Sequence, residues 1–145
     1  MTTIAVLNES TVLKDADVQP VVAALQKQAH SDFCPAWDLA LPTVVFVPQG
    51  QVPPAGAWQL LILDNSDQAG ALGYHDLTAE GLPLGKVFAK DDIDAKTSWT
   101  NTASHELLEM LADPWLNFTA MVQTAQKSGR IYANWSVVKP CLSST

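Results

Sequence analysis

Residues 100–115 read TNTASHELLEMLADPW, and whether they form a helix decides how the rest of the chain is arranged. Placed at 100° per residue, Ala103, Leu107, Met110 and Leu111 share one side, while His105, Glu106, Glu109 and Asp113 gather opposite them. That period predicts an amphipathic helix from Ser98 or Thr100. Pro114 ends it at about Ala112 or Asp113, because helical geometry is disfavoured in the residue before a proline. A His-Glu-Glu face is also what any solvated helix presents, so the neighbours have to be read with it.

Upstream, residues 3–7 (TIAVL), 41–47 (LPTVVFV) and 58–63 (WQLLIL) are apolar runs of strand length. Between the first two, Asp15 or Asp17 caps a helix whose Val18, Val21, Val22 and Leu25 recur at three and four, running to about His30. Pro20 is read in its first turn, where a missing N–H is harmless. Residues 71–77 (ALGYHDL), with a glycine inside and polar neighbours, read as an edge strand near which another backbone approaches. Residues 78–85 read as a loop and residues 86–89 (KVFA) as a short strand. Beyond the helix, residues 116–123 and 130–138 flank a polar TAQKSG, which predicts a β-hairpin, with a short helix at LNFTAMVQTA as the alternative. The expected fold is therefore one α/β (α+β) domain over residues 1–145. It has a mixed twisted sheet, an early packed helix, the HELLE helix and a C-terminal β-hairpin.

Composition narrows the function classes. All fifteen acidic residues lie at or before Asp113 against five Lys, net −10, and the remainder carries three cations and no acid, +3. A total of −7 leaves no basic patch to neutralise phosphates, so neither nucleic acid nor an anionic membrane is an expected partner. The opening MTTIAVLNES has no basic start and is soon interrupted by polar residues, so no secretory signal is read there, and no apolar run approaches membrane-spanning length. A soluble cytoplasmic protein is the expectation. Cys34 and Cys141 have no metal-ligand spacing and are read as free thiols.

The chemistry sits in the helix. Residues four apart lie one turn apart on one face, so His105 and Glu109 can aim at a single cation, and Glu106 points to where a bound water would lie. HExxH zinc hydrolases use this arrangement, the Glu taking the proton of the attacking water; here Glu109 stands at the second His position. A catalytic zinc takes three protein ligands, and Asp113 on the same face is the nearest candidate for the third. His75, two residues beyond Gly73 on the proposed edge strand, is a candidate substrate contact or ligand. Asp91, Asp92 and Asp94 alternate as in a Ca²⁺ loop, but lack its glycine and closing glutamate and are read as a solvated loop.

The SHELLEMLADP segment, with DNSDQAGALGYHDLT and GLPLGKVFAK before it, resembles the zincin metallopeptidases. The closer likeness is to uncharacterised bacterial and phage zincin-like proteins with SHELLEML-DP helices. The resemblance implies an edge strand that pairs with an extended peptide, Gly73 and His75 on it, then a loop, then a helix holding Zn through His105 and Glu109 with Glu106 as general base. It also implies a third ligand from acidic residues after the last hairpin strand, and IYANWSVVKPCLSST contains none. Two readings stay open: a zinc-dependent peptidase acting on a peptide or protein, and a catalytically inactive zincin-fold protein for binding or assembly, a homo-oligomer or a virion component of phage origin.

Overall fold

The structure, a computed structural model, describes residues 1–117 and the backbone of residues 119–122, 131–134 and 141–142. The three apolar runs become parallel strands. β1 (Thr3–Asn8) lies between β2 (Thr43–Val47) and β3 (Trp58–Leu63). Residues 4–8 of β1 are all buried, which is why that run is continuously apolar rather than alternating: a central parallel strand has no wet face. β4 (Ala71–Leu77) is antiparallel to β5 (Pro83–Phe88), which lies parallel to β3. β6 (Thr119–Val122) and β7 (Ile131–Asn134) pair antiparallel as a separate two-stranded sheet, in keeping with the expected hairpin; residues 123–130 lie outside the described residues. β8 (Cys141–Leu142) pairs antiparallel with β4, completing a sheet of order β2-β1-β3-β5-β4-β8.

One face of this sheet carries the core. Ile4, Val6, Leu60, Ile62 and Val87 meet Val18, Val22 and Leu25 of α1 (Asp15–Gln28), and Ala103, Leu107 and Met110 of the last helix. Fully burying each large side chain contributes about 1.5–3 kcal/mol. That scale accounts for Pro20, which is the sixth residue of α1 and not in its first turn as expected. An interior proline costs roughly 3 kcal/mol, less than burial of the three apolar residues returns. The cap also differs from expectation: Lys14 is the N-cap, and its N–H donates to the Asp17 carboxylate at 2.8 Å.

Helical structure continues past His30. A π-helical turn (Ala29–Phe33) leads into α2 (Cys34–Trp37), which stops where Asp38 takes a left-handed φ of 52°. Three further expectations need correcting. β5 begins at Pro83 rather than Lys86, since the first residue of a strand can do without a ladder N–H. β4 is not the outermost strand over its first half, because β8 covers Ala71 and Gly73; a two-residue strand leaves no sequence signature. Residues 91–94 are not a loop but lie within a short helix, α3 (Ala89–Asp94), followed by α4 (Trp99–Ala112). No described helix is long and apolar enough to cross a membrane.

Candidate metal centre

α4 ends where Pro114 requires, with the Asp113 N–H bonded to the Glu109 carbonyl at 2.9 Å. Its polar face is not the solvated side that the 100° spacing suggested. Glu106 is 0% exposed, Asp113 2% and Glu109 8%, and only His105 of the four faces solvent. The reason lies in two glycines on the neighbouring strands. A Cβ on Gly73 would stand 2.7 Å from Glu106 Oε1 and from Thr102 Cγ2, and one on Gly85 would stand 2.7 Å from Met110 Sδ and Leu60 Cδ1. Gly85 is the register partner of His75 on β4. Missing side chains at these two positions let α4 settle onto β4 and β5 with its acids inward.

The strand period of two puts His75 on the same face as Gly73, and its ring reaches α4. His75 Nδ1 lies 3.0 Å from Glu109 Oε2, while His105 Nε2 lies 3.0 Å from Glu109 Oε1. Glu109 is thus held between two imidazoles, one buried and one with 44% of its side chain exposed. A carboxylate only accepts, so His75 Nδ1 is the donor to Glu109 and Nε2 is the ring nitrogen left over. That Nε2 is buried and has no hydrogen-bond partner among the described residues. Both Glu106 oxygens are in the same condition.

Burial, with the Glu109 charge as a second cause, pushes the Glu106 carboxyl up to about 9, so it is protonated at neutral pH. Ligand atoms of His75, Glu106 and Glu109 all lie within 4.8 Å of one another. One imidazole and two carboxyl groups at this spacing can hold a metal ion. The residues fit the task, because unpartnered buried polar groups cost free energy that a cation recovers. Imidazole nitrogen with carboxylate oxygen suits a transition-metal ion or zinc.

Of the residues singled out in the sequence, the structure brings Glu106, Glu109 and His75 into one group and sets His105 beside it through Glu109. Asp113 lies outside that group, and its Oδ1 accepts the Asn117 N–H at 2.9 Å. The acids once weighed as a Ca²⁺ loop face separate partners: Asp91 accepts from Asn65 and Ser66, Asp92 from Thr97 and Thr102, and Asp94 pairs with Lys90. Asp92 is completely buried, its carboxyl raised by that burial, and it fastens the start of α4. Gly85 did not stand out in the sequence, and Asp92 was read there only as part of a solvated acidic loop. The GYH spacing was the available signal for His75, since it sets a glycine and a ligand-type side chain on one strand face.

On its solvent side Glu109 borders a cavity of about 240 Å³, together with Phe33, Trp37, His105, Leu108 and Ala112. The π-helical turn and α2 supply its aromatic wall, Phe33 and Trp37 stacking with centroids 5.4 Å apart. No protein-family model, curated protein or solved structure matches this chain.

Proposed function

We propose that this chain is a zincin-like, zinc-dependent hydrolase of peptide bonds, with its cation held by Glu109 and His75. The observation that carries this reading is the Glu106 carboxyl, buried beside the His75–Glu109 pair with neither oxygen hydrogen-bonded among the described residues. Such a group is expensive to keep unless a ligand completes it. Bound zinc would polarise a carbonyl and lower the pKa of a water. The chain's own groups supply the rest. Glu109 is oriented by His75 and His105, and Glu106 moves the proton, its carboxyl becoming a base once a neighbouring positive charge favours ionisation. The succession of antiparallel β4, loop, β5 and α4 supports the zincin-like reading, as does the motif HELLE.

A second reading, a catalytically inactive zincin-fold protein for binding or assembly, is favoured by Trp37 and Trp115, which are 49% and 47% exposed and suited to an interface. One experiment separates the two. Elemental analysis of the purified full chain is expected to give about one zinc per chain, lost in Glu109→Ala, with casein cleavage that a chelator abolishes. Zinc below about a tenth of an equivalent rules out the metal, and bound zinc without cleavage favours the inactive reading.

A further inference from the structure

The cavity beside Glu109 has an uneven lining. Phe33, Trp37, Leu108 and Ala112 present hydrocarbon to it, and His105 and Glu109 are its polar groups. Glu109 has no oxygen to spare for an incoming cation: Oε1 faces His105 Nε2 and Oε2 faces His75 Nδ1, each at 3.0 Å. An acidic side chain in the same space would be set against the Glu109 charge, and like charges brought together are disfavoured. The lining therefore fits a group that is uncharged and apolar.

Size and wall narrow the occupant further. About 240 Å³ is smaller than the roughly 300–1,000 Å³ of pockets that enclose a whole small molecule, so one side chain of a longer chain is what enters. The wall is aromatic: the Phe33 and Trp37 rings stack at 24° with centroids 5.4 Å apart, across the junction of the π-helical turn and α2. Turns of this kind are rare and recur at functional sites. Trp37 stays half-exposed, so its ring keeps apolar surface in water that a further ring would cover. Residues 29–37 lie outside the segments that carry the zincin likeness. Resting on the hydrolase reading, we infer that the Phe33–Trp37 wall is a specificity site that takes an aromatic side chain of the substrate, phenylalanine or tyrosine, beside Glu109.

The test uses the full chain labelled with nitrogen-15, in which the Trp37 indole N–H signal is the one missing from the Trp37→Phe spectrum. Blocked alanine peptides differing only in a central phenylalanine, leucine, lysine or aspartate are titrated in, with chelator and again with zinc. The phenylalanine peptide is expected to move the Trp37 signal saturably. It should bind about threefold more tightly than the leucine peptide and about tenfold more tightly than the charged ones, the scale of one aromatic anchor. Trp37→Ala should bring all four within about twofold of one another. A stationary Trp37 signal, or equal binding of the phenylalanine and leucine peptides, overturns the inference. So does a signal that moves on dilution of the protein alone, which assigns the face to a second copy. Should Trp37→Ala fail to fold, Ala112→Leu fills the cavity from α4 and is expected to remove the same preference; a preference that survives the filling overturns the inference. Cleavage of these peptides by the zinc-loaded chain separates the two claims. An aromatic preference in binding without zinc or cleavage leaves the pocket standing and removes the hydrolase reading, whereas cleavage with equal kcat/KM for the phenylalanine and aspartate peptides does the reverse.

Discussion

Glu106 is where sequence, packing and chemistry meet. In the metal-free protein its raised pKa means the folded state keeps a proton that the unfolded chain releases near 4.5. By linkage, that stabilising contribution is complete below about 4.5 and is lost as pH rises toward about 9. Thermal melts in chelator should therefore fall across this window, and Glu106→Gln, neutral throughout, should flatten the fall; an unchanged slope would count against a buried neutral carboxyl. Gly73 is the second decisive residue. Gly73→Ala forces a methyl against Glu106, Thr102 and the Lys86 carbonyl, the last only 2.8 Å away and part of the backbone. Overpacking of this kind costs about 1–3 kcal/mol, visible as an earlier urea midpoint. A midpoint within experimental scatter of the parent would mean that α4 does not lie as close to β4 as described.

Among the elements, α4 depends on a neighbour that its own sequence does not mention. Asp92 Oδ1 accepts the Thr97 hydroxyl at 2.7 Å and the Thr102 hydroxyl at 3.0 Å, so α3 fixes the turn that launches α4 one helical turn before Glu106. Asp92→Ala leaves the Thr102 hydroxyl buried without this acceptor and is expected to cost about 1–3 kcal/mol in chemical denaturation, with Asp92→Asn losing less. Equal losses in the two variants would show that packing, not the hydrogen bonds, holds the turn. The elements readable in advance were those with a strong period or a long apolar run: β1, β2, β3, α1 and α4. The π-helical turn was not, because Ala29–Phe33 carries no breaker and continues the pattern before it. α3 was hidden for the opposite reason: Asp91, Asp92 and Asp94 look solvated until Asp92 is seen to point inward.

For the whole molecule, the order of strands and helices could be read from spacing, whereas the face of α4 that is buried could not. A 100° projection marks Glu106, Glu109 and Asp113 as polar and assigns them to water. It contains nothing about Gly73 and Gly85, which lie more than a dozen residues upstream and remove the side chains that would hold those acids away from the sheet. His75 was legible as a candidate, but its partnership with Glu109 depends on β4 running antiparallel beside β5, a tertiary fact. The centre is thus assembled from a strand and a helix through absent side chains as much as present ones. His75→Ala should consequently weaken zinc binding by more than about 10–100-fold in calorimetric titration of the metal-free protein, since even loss of a group that only supports a ligand is felt on that scale; unaltered affinity would place the ion elsewhere. The most direct measurement is anomalous scattering at the zinc edge from crystals grown with zinc. The account predicts one strong peak about 2.0–2.2 Å from a His75 nitrogen and a Glu109 oxygen. A map with no peak there, or with its peak on other residues, would contradict it.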